Sequence, residues 1–153
     1  MLGRKTYTPE ELDQARTAIA GQLAAYRQLA DAVDATGDPR AQAALEAFEP
    51  RFAEALTVAL DRHFVHRLRA VAGKDGNPLN EVAVLAESLV VGGGVVRPGS
   101  GIKLDPERSV LGHAPGDAIA LSAADVERLA DAFLGELEAR FVAAGAETCS
   151  TAA

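Results

Sequence analysis

A chain of 153 residues is the length of one ordinary domain, and 48% apolar residues is too high a share for a disordered polymer. Its 22 Asp and Glu outweigh 15 Lys and Arg to give a formal net charge of −7. That balance argues against nucleic acid or an anionic membrane as the partner, because both are bound through excess Lys and Arg. The only cysteine, Cys149, allows neither an intrachain disulfide nor a Cys-based zinc site.

No apolar run follows Met1-Leu2-Gly3-Arg4-Lys5, so no signal peptide is expected, and the most apolar stretch, 82–91, is short and carries Glu87. These features predict a cytoplasmic protein with a single domain over 1–153 and flexible ends at 1–7 and 146–153. Alanine dominates the apolar residues, alongside five Phe, two Tyr and no Trp. Since alanine is the best helix former, the expected class is mainly α.

The first predicted helix starts at Thr8-Pro9-Glu10-Glu11, which supplies an N-cap, a proline at N1 and a glutamate to close a capping box. Leu12, Ile19, Leu23, Tyr26, Ala30 and Val33 then repeat at steps of three and four, with Arg16 at the one missed position. Such a seam fits either the second helix of the same chain or a second copy in a homodimer. Gly37-Asp38-Pro39 ends it.

A second helix is predicted from 39 or 40 to 72, with Leu45, Phe48, Phe52, Leu56, Leu60, Phe64 and Leu68 stepping mostly by four. That stripe drifts around the cylinder, which predicts a central helix touched on several sides. Pro50 lies inside it, so a kink or break is expected there. The turn Gly73-Lys74-Asp75-Gly76-Asn77-Pro78 then prepares a third helix over 78–90, with Asn77 as cap and Pro78 at N1.

Residues 92–121 change character. Val95-Val96-Arg97 and Ile102-Lys103-Leu104 flank a four-residue loop and read as a β-hairpin, and Ala114-Pro115-Gly116-Asp117 reads as a type II turn. Ser122 and Asp125 cap a last helix over 123–144, whose Phe133 and Phe141 complete the five phenylalanines shared with helix two. The predicted fold is a four-helix bundle-like domain with a small β-hairpin insertion between helices three and four.

No catalytic motif stands out. The glycines at 92–94 follow a helix and end without Gly-Lys-Ser/Thr, so they match neither a dinucleotide fingerprint nor a P-loop. His63 and His66 lack the third ligand and the spacing of known metal motifs, so no metal and no cofactor is expected.

His63 and Arg67 are one turn apart on the apolar side of helix two, where a cation needs a partner. The bland reading is a structural salt bridge with Glu81, Glu87 or Glu107, or a helix end that is simply open to solvent. The functional alternative is a small anionic ligand held by Arg67, Lys74, Asn77 and Asn80, with His63 as proton carrier and Glu81 orienting a base. A third reading, nucleic-acid binding, requires Arg62, Arg67, Arg69, Lys74, Arg97 and Lys103 to form one continuous surface. The leading expectation is a non-enzymatic module that binds itself or another protein.

Overall fold

The computed structural model describes residues 3–99 and 101–142. Five helices follow one another: α1 (Pro9–Thr36), α2 (Pro39–His63), α3 (Arg69–Ala72), α4 (Pro78–Val90) and α5 (Ala123–Phe141). The capping chemistry forms as the sequence predicts. Thr8 and Glu11 make a reciprocal capping box, as do Ser122 and Asp125, and the Asn77 side chain accepts from the N–H groups of Leu79 and Asn80.

α1 and α2 form an antiparallel pair. Leu12, Ala15, Ile19 and Leu23 of α1 are buried, so this half of the heptad-like seam is covered within the chain. Arg16, the missed position, lies at the surface 3.6 Å from Glu138 of α5. Further along, Tyr26, Ala30 and Val33 are only half-buried.

α2 runs without interruption through Pro50 but stops at His63, so the single helix expected to reach residue 72 is divided. The N-terminal segment causes the division. The Arg4 N–H donates to the His66 carbonyl at 2.7 Å, and the Leu68 N–H donates to the Arg4 carbonyl at 2.8 Å. Backbone groups of 66–68 thus pair with Arg4, in an isolated bridge, rather than with a helical turn. Residues 3–7, expected as part of a loose end, are tied down here, and Tyr7 is buried between Phe64 and Phe141. The other expected loose end, 146–153, lies outside the described residues.

The helix expected to be central was the second, but the most enclosed is α4, with eight of its thirteen residues buried. It packs against both α2 and α5. The α2–α5 contact foreseen from the phenylalanines is present at Phe64 and Phe133, whose ring centroids are 5.9 Å apart.

The β-hairpin does not form, and there is no strand among the described residues. Val95 instead makes an isolated antiparallel bridge with Ala118. The Val96 N–H donates to Asp117 and the Ile119 N–H to the Gly94 carbonyl, at 2.9 and 2.8 Å. The intended partner, 102–104, is drawn elsewhere, since the Lys103 N–H donates to the Lys74 carbonyl and Ile102 and Leu104 pack on the core. That approach needs Gly76, where an added Cβ would come within 2.9 Å of the Lys103 carbonyl oxygen. The expected turn at 114–117 does form, with Gly116 at φ +93° and the Asp117 N–H donating to Ala114.

Candidate functional site

Two regions carry the groups that could act. The first is the base of the bundle, where α2 ends and α4 begins. Arg67 is not on a helix face. It sits in the irregular link after α2, with its side chain 9% exposed. Its guanidinium donates to Asp61 Oδ1 at 2.8 Å, to the Phe64 carbonyl at 3.0 Å and to the Leu79 carbonyl at 3.2 Å. The Phe133 ring centroid lies 5.3 Å from it. The carboxylate that meets this cation is Asp61, not Glu81, Glu87 or Glu107. No spacing rule signals that pair, because Asp61 and Arg67 are joined only by the break in α2.

Glu81 is 1% exposed and faces the long 91–122 segment. Its two carboxylate oxygens accept from the Val110 and Leu111 N–H groups at 2.8 and 3.0 Å. A buried carboxylate with two backbone donors is a clasp for otherwise irregular chain. Asn77 caps α4 and donates to the Ala72 carbonyl at 2.7 Å, while Asn80 donates to the carbonyls of Gly73 and Asp75. The Asn77 amide also bonds the Asp75 carboxylate, which holds that carboxyl below its usual range. Arg140 reaches over from α5 to the Ala72 carbonyl at 2.9 Å and pairs with Glu136. Lys74 is exposed.

His63, the last residue of α2, is exposed rather than buried in the apolar stripe. It lines a cleft of about 230 Å³ with Arg4, Tyr7, Glu11, Gln14 and Phe64. Within it Arg4 and Glu11 form a two-pronged ion pair at 2.7 and 2.9 Å, and Arg4 lies 4.3 Å above the Tyr7 ring. That pairing, helped by the Thr8 N–H, holds the Glu11 carboxyl down at about 2. Burial pushes the Tyr7 hydroxyl up. The structure therefore separates His63 from Arg67, Asn77, Asn80 and Glu81, and the cleft includes none of those four. Among the described residues no three His, Cys, Asp or Glu side chains converge as metal ligands. Because Arg67 is turned inward to Asp61, the six basic residues needed for a nucleic-acid surface are not one exposed array.

The second region is the outer face of the α1–α2 pair, which sequence reasoning missed. Tyr26 stacks on Phe52 with ring centroids 5.2 Å apart, and Phe52 stacks on Phe48 at 5.9 Å. Phe48 is nonetheless 44% exposed and Leu29 is 45% exposed. The Tyr26–Phe52 contact sets the register of the antiparallel pair, which brings Leu29 level with Phe48.

Both residues face away from α5. On α1, Arg16 and Arg27 pair with Glu138 and Glu127 of α5, and Leu29 lies about 160° around the helix from Arg27. On α2, Glu49 accepts from the Ala123 N–H at the start of α5, and Phe48 lies about 100° around from it. The His63 cleft lies further along the same helix pair, where Gln14 of α1 and His63 of α2 line it together. The available signal was a second three–four repeat on α1, Ala18, Gln22, Ala25, Leu29, Ala32 and Thr36, all exposed and all uncharged.

No protein-family model, curated protein or solved structure matches the chain.

Proposed function

We propose that this chain is a non-enzymatic protein-interaction module that works through the outer face of its α1–α2 pair. One observation carries the reading. Leu29 on the uncharged stripe of α1 and Phe48 on α2 are both exposed, and the Tyr26–Phe52 stack puts them at the same level of the pair. An uncharged helical stripe flanked by exposed large apolar side chains is what another helix covers. The occupant is a second copy or a different protein, and a cytoplasmic setting accords with a sequence that has no pair of cysteines to bridge.

The alternative, a small anionic ligand held near His63 and the 74–81 loop, draws no support from the geometry. Arg67, Asn77, Asn80 and Glu81 are all engaged by groups of the chain itself.

Proximity labelling in the native host tests the reading. The wild-type chain should mark a set of neighbours that the Leu29→Asp/Phe48→Asp double variant loses, while both chains unfold at similar temperatures. Identical neighbours for a folded double variant would remove the outer face from consideration.

A further inference from the structure

The apolar patch is flanked by a row of cations. Arg40, Arg51 and Arg62 of α2 follow one another at intervals of eleven residues. Eleven residues is close to three whole turns, so each arginine is displaced only about 20° from the last, and the row lies parallel to the helix axis at steps of about 16 Å. All three side chains belong to exposed residues, and among the described residues none of them enters an ion pair. Phe48 and Ala55 fall within the same arc of about 100°, and no acidic residue of α2 does.

An otherwise acidic chain thus presents one stripe that is apolar at its centre and positive along its edge. Elsewhere its buried or half-buried arginines are matched, Arg67 with Asp61 and Arg140 with Glu136.

We infer that this face receives an amphipathic helix of a partner protein whose apolar stripe is bordered by Asp or Glu. The inference rests on the interaction-module reading and adds the chemistry of the partner. An apolar stripe repeating at threes and fours on the incoming helix would lie between Leu29 and Phe48, and carboxylates one flank over would meet Arg40, Arg51 and Arg62. A helix of about 22 residues spans the roughly 33 Å that the row covers.

A second copy answers this face poorly. Its α1 stripe offers no carboxylate, and an antiparallel α2–α2 contact centred on the row sets each arginine against an arginine. No large apolar residue of α5 is exposed, so that helix supplies no complementary stripe either. A membrane surface is a worse match, since three cations at 16 Å steps sit on a chain of net charge −7.

The test uses the full chain and two labelled synthetic helical peptides of about 22 residues, identical except that one carries Glu and the other Gln beside a Leu/Ala heptad stripe. Fluorescence anisotropy at low salt should show the Glu peptide bound about tenfold tighter or better than the Gln peptide. Arg51→Glu should abolish that preference, and Phe48→Ala should weaken both peptides about tenfold. Equal affinity for the two peptides, lowered by Phe48→Ala, would overturn the acidic partner and leave the interaction face standing. Neither peptide binding, with a dimer by sedimentation that Phe48→Asp dissolves, would assign the face to a second copy. Binding of vesicles containing phosphatidylserine through the same arginines, without either peptide, would assign it to lipid. Failure of every arm, with neighbours unchanged in the labelling experiment, would overturn both readings.

Discussion

The base of the bundle and the outer face of the α1–α2 pair treat their charged groups in opposite ways. At the base, Arg67, Glu81, Asn77 and Asn80 are turned inward, and each is met by groups of the chain itself. On the outer face, Arg40, Arg51 and Arg62 are exposed on the side of α2 that carries Phe48, and among the described residues no acid is paired to them. Buried polar groups that are fully met hold a fold together, and they have no capacity left for a ligand. Exposed cations beside exposed aromatic surface have that capacity. The contrast directs attention from the polar loop to the helical face.

The contrast breaks most sharply at Arg67. Arg67→Ala leaves Asp61 half-buried without its cation and takes the guanidinium away from the Phe64 and Leu79 carbonyls, so unfolding free energy should fall by about 3–5 kcal/mol in urea titrations. A loss under about 1 kcal/mol would mean that the guanidinium is not structural, and a ligand role would regain ground. Glu81→Ala comes next. It strands the Val110 and Leu111 N–H groups, and a cost of about 2–3 kcal/mol is expected, with Glu81→Gln retaining part of the clasp. Hydrogen exchange at those two amides should accelerate in Glu81→Ala ahead of the amides of α4.

Phe48→Ala provides the opposite limb. A side chain 44% exposed contributes little to a solitary chain, so stability should change by about 1 kcal/mol or less. The expected pattern is therefore large losses of stability at the base with no effect on binding, and the reverse on the outer face. A Phe48→Ala chain that melts as badly as Arg67→Ala would place Phe48 in the core and remove the contrast.

Local sequence signals account for the parts of the fold that depend on local chemistry. The Thr8, Ser122 and Asn77 caps and the turn at 114–117 form where their residues predict, because each is settled within four residues of chain. What long-range pairing decides was not legible. α2 breaks at His63 because Arg4 pairs with 66–68 from more than sixty residues away. The 102–104 segment leaves Val95 because Lys74 and the core compete for it. The candidate site suffered from the same blindness. His63 and Arg67 share a face only if the helix continues, and it does not. The exposed stripe of α1 could have been counted in advance, but the buried seam on the same helix has the same period and larger residues, so it drew the reading.

The smallest expected effect lies at the His63 cleft, where Arg4 and Glu11 join the N-terminal segment to α1. Glu11 titrates at about 2 in the folded chain, chiefly through Arg4 and then the Thr8 N–H, against about 4.3 for a free glutamate. A carboxyl whose folded value is depressed favours the folded state fully above the unfolded value and ceases to do so as pH falls through the folded one. The Glu11 contribution should thus be intact at pH 6 and decline between about pH 4.5 and 2. Carboxyl NMR titration should report the low midpoint, and Arg4→Ala should move it back toward the ordinary value, with the remaining depression due to Thr8. Because both side chains are open to water, salt should weaken the effect, unlike that of the Asp61–Arg67 pair. An Arg4→Ala chain with an unmoved Glu11 midpoint would show that the pair does not persist in solution, and the cleft around His63 would then be wider than it stands here.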